Sequence, residues 1–195
     1  MKKVSFYLLF LFVFVVSAFA QREEFTIKRV DTSLALTPQY STNPTFKQAR
    51  SSNWLLIDVT FEARPEFTEE LVFNYYVALK GNDPDVRGKV FVGRVHHVNI
   101  PKGTELHSCA FISPRSLSRL VKGKPFNLSD IDMVTVTITK PGIAQPISAK
   151  GTAAFTPNWW ASFQAVEGVV VNKNETPFAP LAWDYYEAIK PAPAR

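Results

Sequence analysis

The sequence predicts an all-β protein, an antiparallel two-sheet sandwich of immunoglobulin-like type with one short helix near 114–122. Three observations predict it. Apolar and polar residues alternate with period two in several segments. Those segments are separated by short turns rich in Gly, Pro and Asn. No long stretch of helical period lies between them, which favours antiparallel pairing over a parallel sheet with crossover helices. A closed barrel is the second architecture that fits. The Cys-Trp-Cys core of antibody domains is absent, so strand number and spacing carry the prediction.

An export segment precedes the fold. Lys2 and Lys3 form a positive n-region, residues 6–16 are apolar apart from Tyr7, and Ala18-Phe19-Ala20 supplies the small residues a signal peptidase needs. The apolar run is shorter than the roughly 20 residues of a bilayer span. Residues 1–20 therefore read as a signal peptide and residues 21–195 as one domain, secreted or periplasmic, with no transmembrane segment in the mature chain. Attachment at the outer surface also fits.

The strands follow in order. Residues 25–30 form the first, and an irregular connection over 31–52 contains Pro38 and Pro44. In residues 54–63, Leu55, Ile57, Val59 and Phe61 alternate with Asp58, Thr60 and Glu62, the pattern of a half-buried strand. Residues 71–80 are rich in β-branched and aromatic types and stop at the turn Gly81-Asn82-Asp83-Pro84. Residues 89–100 and 106–112 flank Pro101-Lys102-Gly103-Thr104, which predicts a hairpin. Val134, Val136 and Ile138 alternate with threonines up to Pro141-Gly142. Further strands fall at 147–155 and 165–172, about eight in all.

The helix has its own signals. Ser113 is an N-cap, Pro114 suits the first helical position, and Gly123 is the stop. Leu117, Leu120 and Val121 share the face that packs inward, while Arg115, Arg119 and Lys122 share another.

The formal net charge is +5 over the whole chain, falling to about +3 without Lys2 and Lys3. The basic residues concentrate between Arg87 and Lys124, where Glu105 is the only acid. Arg115, Arg119, Lys122 and Lys124 are the candidates for contact with an anionic partner: an acidic glycan, lipid head groups or extracellular DNA. A single cysteine, Cys109, excludes an internal disulfide, so the core must supply the stability.

Catalytic signals are sparse. The sequence has no Gly-x-Ser-x-Gly elbow, His-Glu-x-x-His, phosphate-binding Gly-rich loop or Cys-x-x-Cys. His96 and His97 are adjacent on a strand and point to opposite faces. A hairpin closing at 101–104 would set His96 opposite Cys109 and Val98 opposite His107, gathering His96, His107 and Cys109 on one face as a zinc or Cys-His site. That face also carries Val90, Val92 and Phe111, and burial in the core is the simpler expectation. The reading is of a protein with no catalytic residue, metal or cofactor, with a hydrolase of unrecognised site as one alternative.

The C-terminal region is aromatic. Trp159, Trp160, Trp183, Tyr185 and Tyr186 either cap the core or form a platform for a glycan ring or protein partner, because each buries a large rigid area at low entropic cost.

The stretch ETPFAPLAWDYYEAIKP over 175–191, NWLLIDVTFEA over 53–63 and the signal peptide resemble small secreted proteins of Akkermansia and other Verrucomicrobia. The resemblance implies an immunoglobulin-like fold and genes grouped with type IV pilus-like genes. It carries no catalytic residue across. The function it implies is a non-enzymatic binding or structural module with envelope or pilus-like proteins as partners. The chain departs from pilins in lacking a retained N-terminal helix.

Overall fold

The computed structural model describes residues 23–40, 51–182 and 184–191. The signal segment lies outside the described residues, as does Trp183. Seven strands appear among the described residues: β1 (Phe25–Leu36), β2 (Asn53–Leu79), β3 (Lys89–Ile112), β4 (Ile131–Thr139), β5 (Ser148–Gly151), β6 (Gln164–Glu167) and β7 (Val170–Asn172). One α-helix, α1 (Pro114–Leu120), follows β3.

All seven strands belong to one sheet in the order β5-β4-β2-β3-β6, with β1 also beside β2 and β7 also beside β3. This corrects the expected pair of purely antiparallel sheets. The sheet is single because β2 and β3, 27 and 24 residues long, run through both of its halves. It is mixed because β6 lies parallel to residues 89–92 of β3, whereas β7 lies antiparallel to 110–112.

The predicted hairpin at 101–104 does not form. Residues 100–104 continue β3, and Ala63 faces Gly103 while Phe67 faces Pro101. Three residues of β2 therefore lie opposite Lys102 alone, a bulged corner at which both strands bend together. Asn99, at φ 56°, sits just before this corner in the left-handed conformation that asparagine tolerates.

The bend encloses the core. Leu55, Ile57, Val59 and Phe61 from the first half of β2 and Leu71, Phe73, Tyr75 and Val77 from the second enter the same apolar cluster. Their uniform odd numbering is the period-two signature of one buried face. The Phe61 and Phe73 rings meet at 4.8 Å across the corner. Leu117 and Leu120 of α1 join this cluster. The helix starts as predicted, with Ser113 Oγ accepting from the Ser116 N–H at 3.1 Å and Pro114 in the first turn. It ends at Leu120, and Lys122 and Gly123 follow with positive φ.

Candidate functional site

The potential nucleophiles sit deepest. Tyr75 of β2, Ser108 and His97 of β3 are fully buried. Their side chains form one chain of hydrogen bonds, with Ser108 Oγ 2.6 Å from both the Tyr75 hydroxyl and His97 Nε2. His97 Nδ1 lies 3.0 Å from the Glu187 carbonyl oxygen and donates to it. With Nδ1 carrying the proton, Nε2 accepts from the Ser108 hydroxyl, and Ser108 in turn accepts from Tyr75. Burial lowers the His97 pKa to about 4, against the opposing effect of its backbone contacts at Glu187 and Ala188. A serine and a neutral imidazole at this distance have the makings of a nucleophile and base, but here they satisfy each other inside the core.

The unbroken β3 separates the expected trio. His96 faces Val72 of β2 and lies 2.7 Å from Glu70, whereas Cys109 faces Asp58 and His107 faces Thr60. His96, His107 and Cys109 do not come together. Burial first, then the Asp58 charge, raises the Cys109 thiol well above its ordinary pKa, so it stays protonated.

His107 and Cys109 instead lie under the C-terminal tail, on the sheet face opposite the core. Tyr185 stacks on His107 at 4.0 Å, and Tyr186 donates to Asp58 Oδ2 at 2.8 Å. Phe178 stacks on Phe111 at 4.7 Å and meets Trp54 edge-on. Lys173 is buried and donates to the Ala179 carbonyl at 2.9 Å; burial lowers its pKa. The tail then runs beside β3, where Val98 N–H donates to Ala188 and Lys190 N–H donates to His96. Lys190 Nζ reaches Glu70 at 2.6 Å, and that hydrogen bond, followed by the one to His96, holds the Glu70 carboxyl below its usual range. Tyr185 and Tyr186 are therefore tied into the fold, although Tyr185 keeps 47% of its surface exposed.

The other candidates separate into two places. Arg115, Arg119, Lys122 and Lys124 are exposed on and after α1. Lys122 pairs with Asp83, which holds the lysine pKa up and the Asp83 pKa down. Trp159 and Trp160 are half-buried in a turn of 3-10 helix at Trp159–Ser162. Trp159 Nε1 donates to Thr135 Oγ1 at 2.9 Å, and Trp160 stacks on Tyr76 at 4.3 Å with 10° between the rings. Sequence reasoning missed Tyr75, Asn74 and Tyr76. Their parity on β2 was readable, with Tyr75 on the core face and its two neighbours on the other.

A protein-family model matches residues 16–192. The chain belongs to that family. A crystal structure of a protein from Akkermansia muciniphila is similar to it, with a TM-score of 0.72 and 18% identity over 87% of this chain and 94% of that one. At this identity the likeness shows the fold alone. Among curated proteins, none matches the chain. No helix among the described residues is long and apolar enough to cross a membrane.

Proposed function

We propose that the protein is an exported, non-enzymatic module that docks onto an envelope or pilus-like assembly, with β1 as its docking strand. We read its bent sheet as a variant of the immunoglobulin-like sandwich in which β2 and β3 join the two halves. The observation that carries the proposal is the outer edge of β1. Among the described residues this 12-residue strand forms a ladder only with β2. Near its start the Ile27 N–H donates to Ser148 Oγ of β5 at 3.0 Å, and the open stretch is the later part of the strand, where Leu34 and Leu36 expose 36% and 63% of their surface. An open edge presents unpaired backbone groups that an added strand satisfies, while flanking side chains select the partner. The strands at the other margins, β5, β6 and β7, have four, four and three residues. The sealed Ser108-His97 pair and the protonated Cys109 support a non-catalytic reading over a hydrolase.

The test is site-specific photo-crosslinking in cells that export the full chain. A crosslinker at Leu34 should trap one discrete envelope protein that a crosslinker at Arg115 does not; identical adducts from both positions, or none from Leu34, would refute docking through β1. The terminus of the exported chain, read by mass spectrometry, should be Gln21.

One observation favours a second reading, an anion-binding surface. Arg115, Arg119 and Lys124 are exposed and take part in no ion pair among the described residues. Binding to heparin, DNA or anionic vesicles should then weaken with salt and with charge reversal at these positions. Equal retention of the reversed variant would remove this reading.

A further inference from the structure

The outer face of the second half of the sheet carries an uncharged groove. In the register of β2 with β4, Asn74 lies opposite Thr137, Tyr76 opposite Thr135 and Val72 opposite Thr139. These side chains point away from the core. With residues 143–146 and the turn at Asn158 and Trp160, Asn74, Tyr76, Thr137 and Thr139 line a cavity of about 230 Å³. None of its lining residues is charged, in a chain where 20% of residues are. That composition disfavours an ionic ligand and favours a neutral one rich in hydroxyl groups.

Asn74, Thr137 and Thr139 are held in place by hydrogen bonds, and the polar groups of the groove are incompletely used. Asn74, only 8% exposed, donates from Nδ2 to Thr139 Oγ1 at 3.2 Å and Thr137 Oγ1 at 3.4 Å. Its side-chain carbonyl oxygen has no partner among the described residues, and neither do the Trp160 indole N–H and the Gln145 amide. One acceptor at the groove surface and two donors are thus open to a ligand. The aromatic wall is held in advance. Trp160 stacks on Tyr76 and packs edge-on against Trp159, itself anchored by Thr135. A wall fixed before binding spares the ligand the entropic cost of ordering it.

The geometry points to a binding site for one neutral pyranose ring, placed between the Trp160 wall and the Asn74 floor. A pyranose presents both things the groove needs: a face of C–H groups for the aromatic ring and a rim of hydroxyls that donate and accept. An extended peptide is a poorer occupant, because the β4 edge it would pair with already holds β5. This inference goes beyond the docking of β1 and does not depend on it.

Saturation-transfer NMR on the mature chain with methyl glucopyranoside, methyl galactopyranoside and N-acetylglucosamine tests the site. At least one sugar should receive transfer, strongest into the C–H groups of one ring face. Gln145→Ala, at an exposed loop position that should leave the fold intact, should weaken binding about tenfold. Trp160→Leu should weaken it at least as much, with a thermal melt showing that the variant is folded. Arg115→Ala should bind as the wild type does. Absence of transfer to all three sugars, equal binding by the Gln145 variant, or equal transfer to open-chain glucitol would overturn the assignment.

Discussion

Ser108 holds more of the core together than its size suggests. Its hydroxyl is the sole link between Tyr75 and His97, both fully buried, so Ser108→Ala strands one donor and one acceptor away from water. The variant should lose roughly 2–3 kcal/mol, read as a lower urea midpoint at unchanged slope. Tyr75→Phe should cost less, because it removes a hydroxyl and leaves Ser108 still bonded to His97. The same network sets a pH dependence. His97 titrates at about 4 in the fold and near 6.5 when unfolded, so between these values the unfolded chain binds more protons. Stability is therefore complete above about pH 6.5 and falls as pH drops toward 4, by on the order of 3 kcal/mol. Unfolding measured at pH 7 and pH 5 should show the decline in wild type and a much smaller one in His97→Gln.

The long strands make the corner the decisive element. Pro101-Lys102-Gly103-Thr104 carries the residue types of a turn, yet the chain bends there and continues, because β2 supplies a matching bulge at Ala63 to Phe67. Alternation at 54–63, β-branched and aromatic content at 71–80 and the flanks of the turn signal at 89–100 and 106–112 marked segments that are extended in the structure, save Lys80. Nothing in a single sequence tells a reversal from a bend when the partner strand lies 40 residues away, so the pairing, and with it the His96-Cys109 contact, was illegible. Local signals fared better: the Ser113 cap and Pro114 marked α1 because they act within one turn. Close approach sets another constraint on β3. A Cβ on Gly93 would sit 2.6 Å from Val170 Cγ1 and 2.8 Å from the Val170 carbonyl oxygen, while Val170 also pairs with Ile112. Gly93→Ala should thus push β7 off β3 and cost roughly 1–3 kcal/mol. Hydrogen exchange should rise first at residues 170–172.

At the scale of the whole molecule, the ladder between β2 and β3 runs from Leu55 opposite Ile112 to Val77 opposite Phe91. The halves share both strands and one core, so they should unfold together. This continuity explains why the binding candidates scatter. A sheet bent round a core offers distinct outer faces and margins, and α1, the Trp160 groove, the tail and the β1 edge each occupy a different one. The sequence names the residues on these surfaces by type, but their grouping depends on the bend. Cooperativity gives the bend its sharpest test. Ile57 and Ile138 are fully buried, one in the first half of β2 and one in β4 beside the second half. Ile57→Val and Ile138→Val should each remove about 1 kcal/mol. Trp54 reports on the first half through its contact with Phe111, and Trp159 with Trp160 on the second. Far-UV dichroism and tryptophan fluorescence should give one coincident urea transition in wild type, and each substitution should shift all of it. A biphasic curve, or a shift confined to one probe, would mean that the corner is a hinge between independently stable halves.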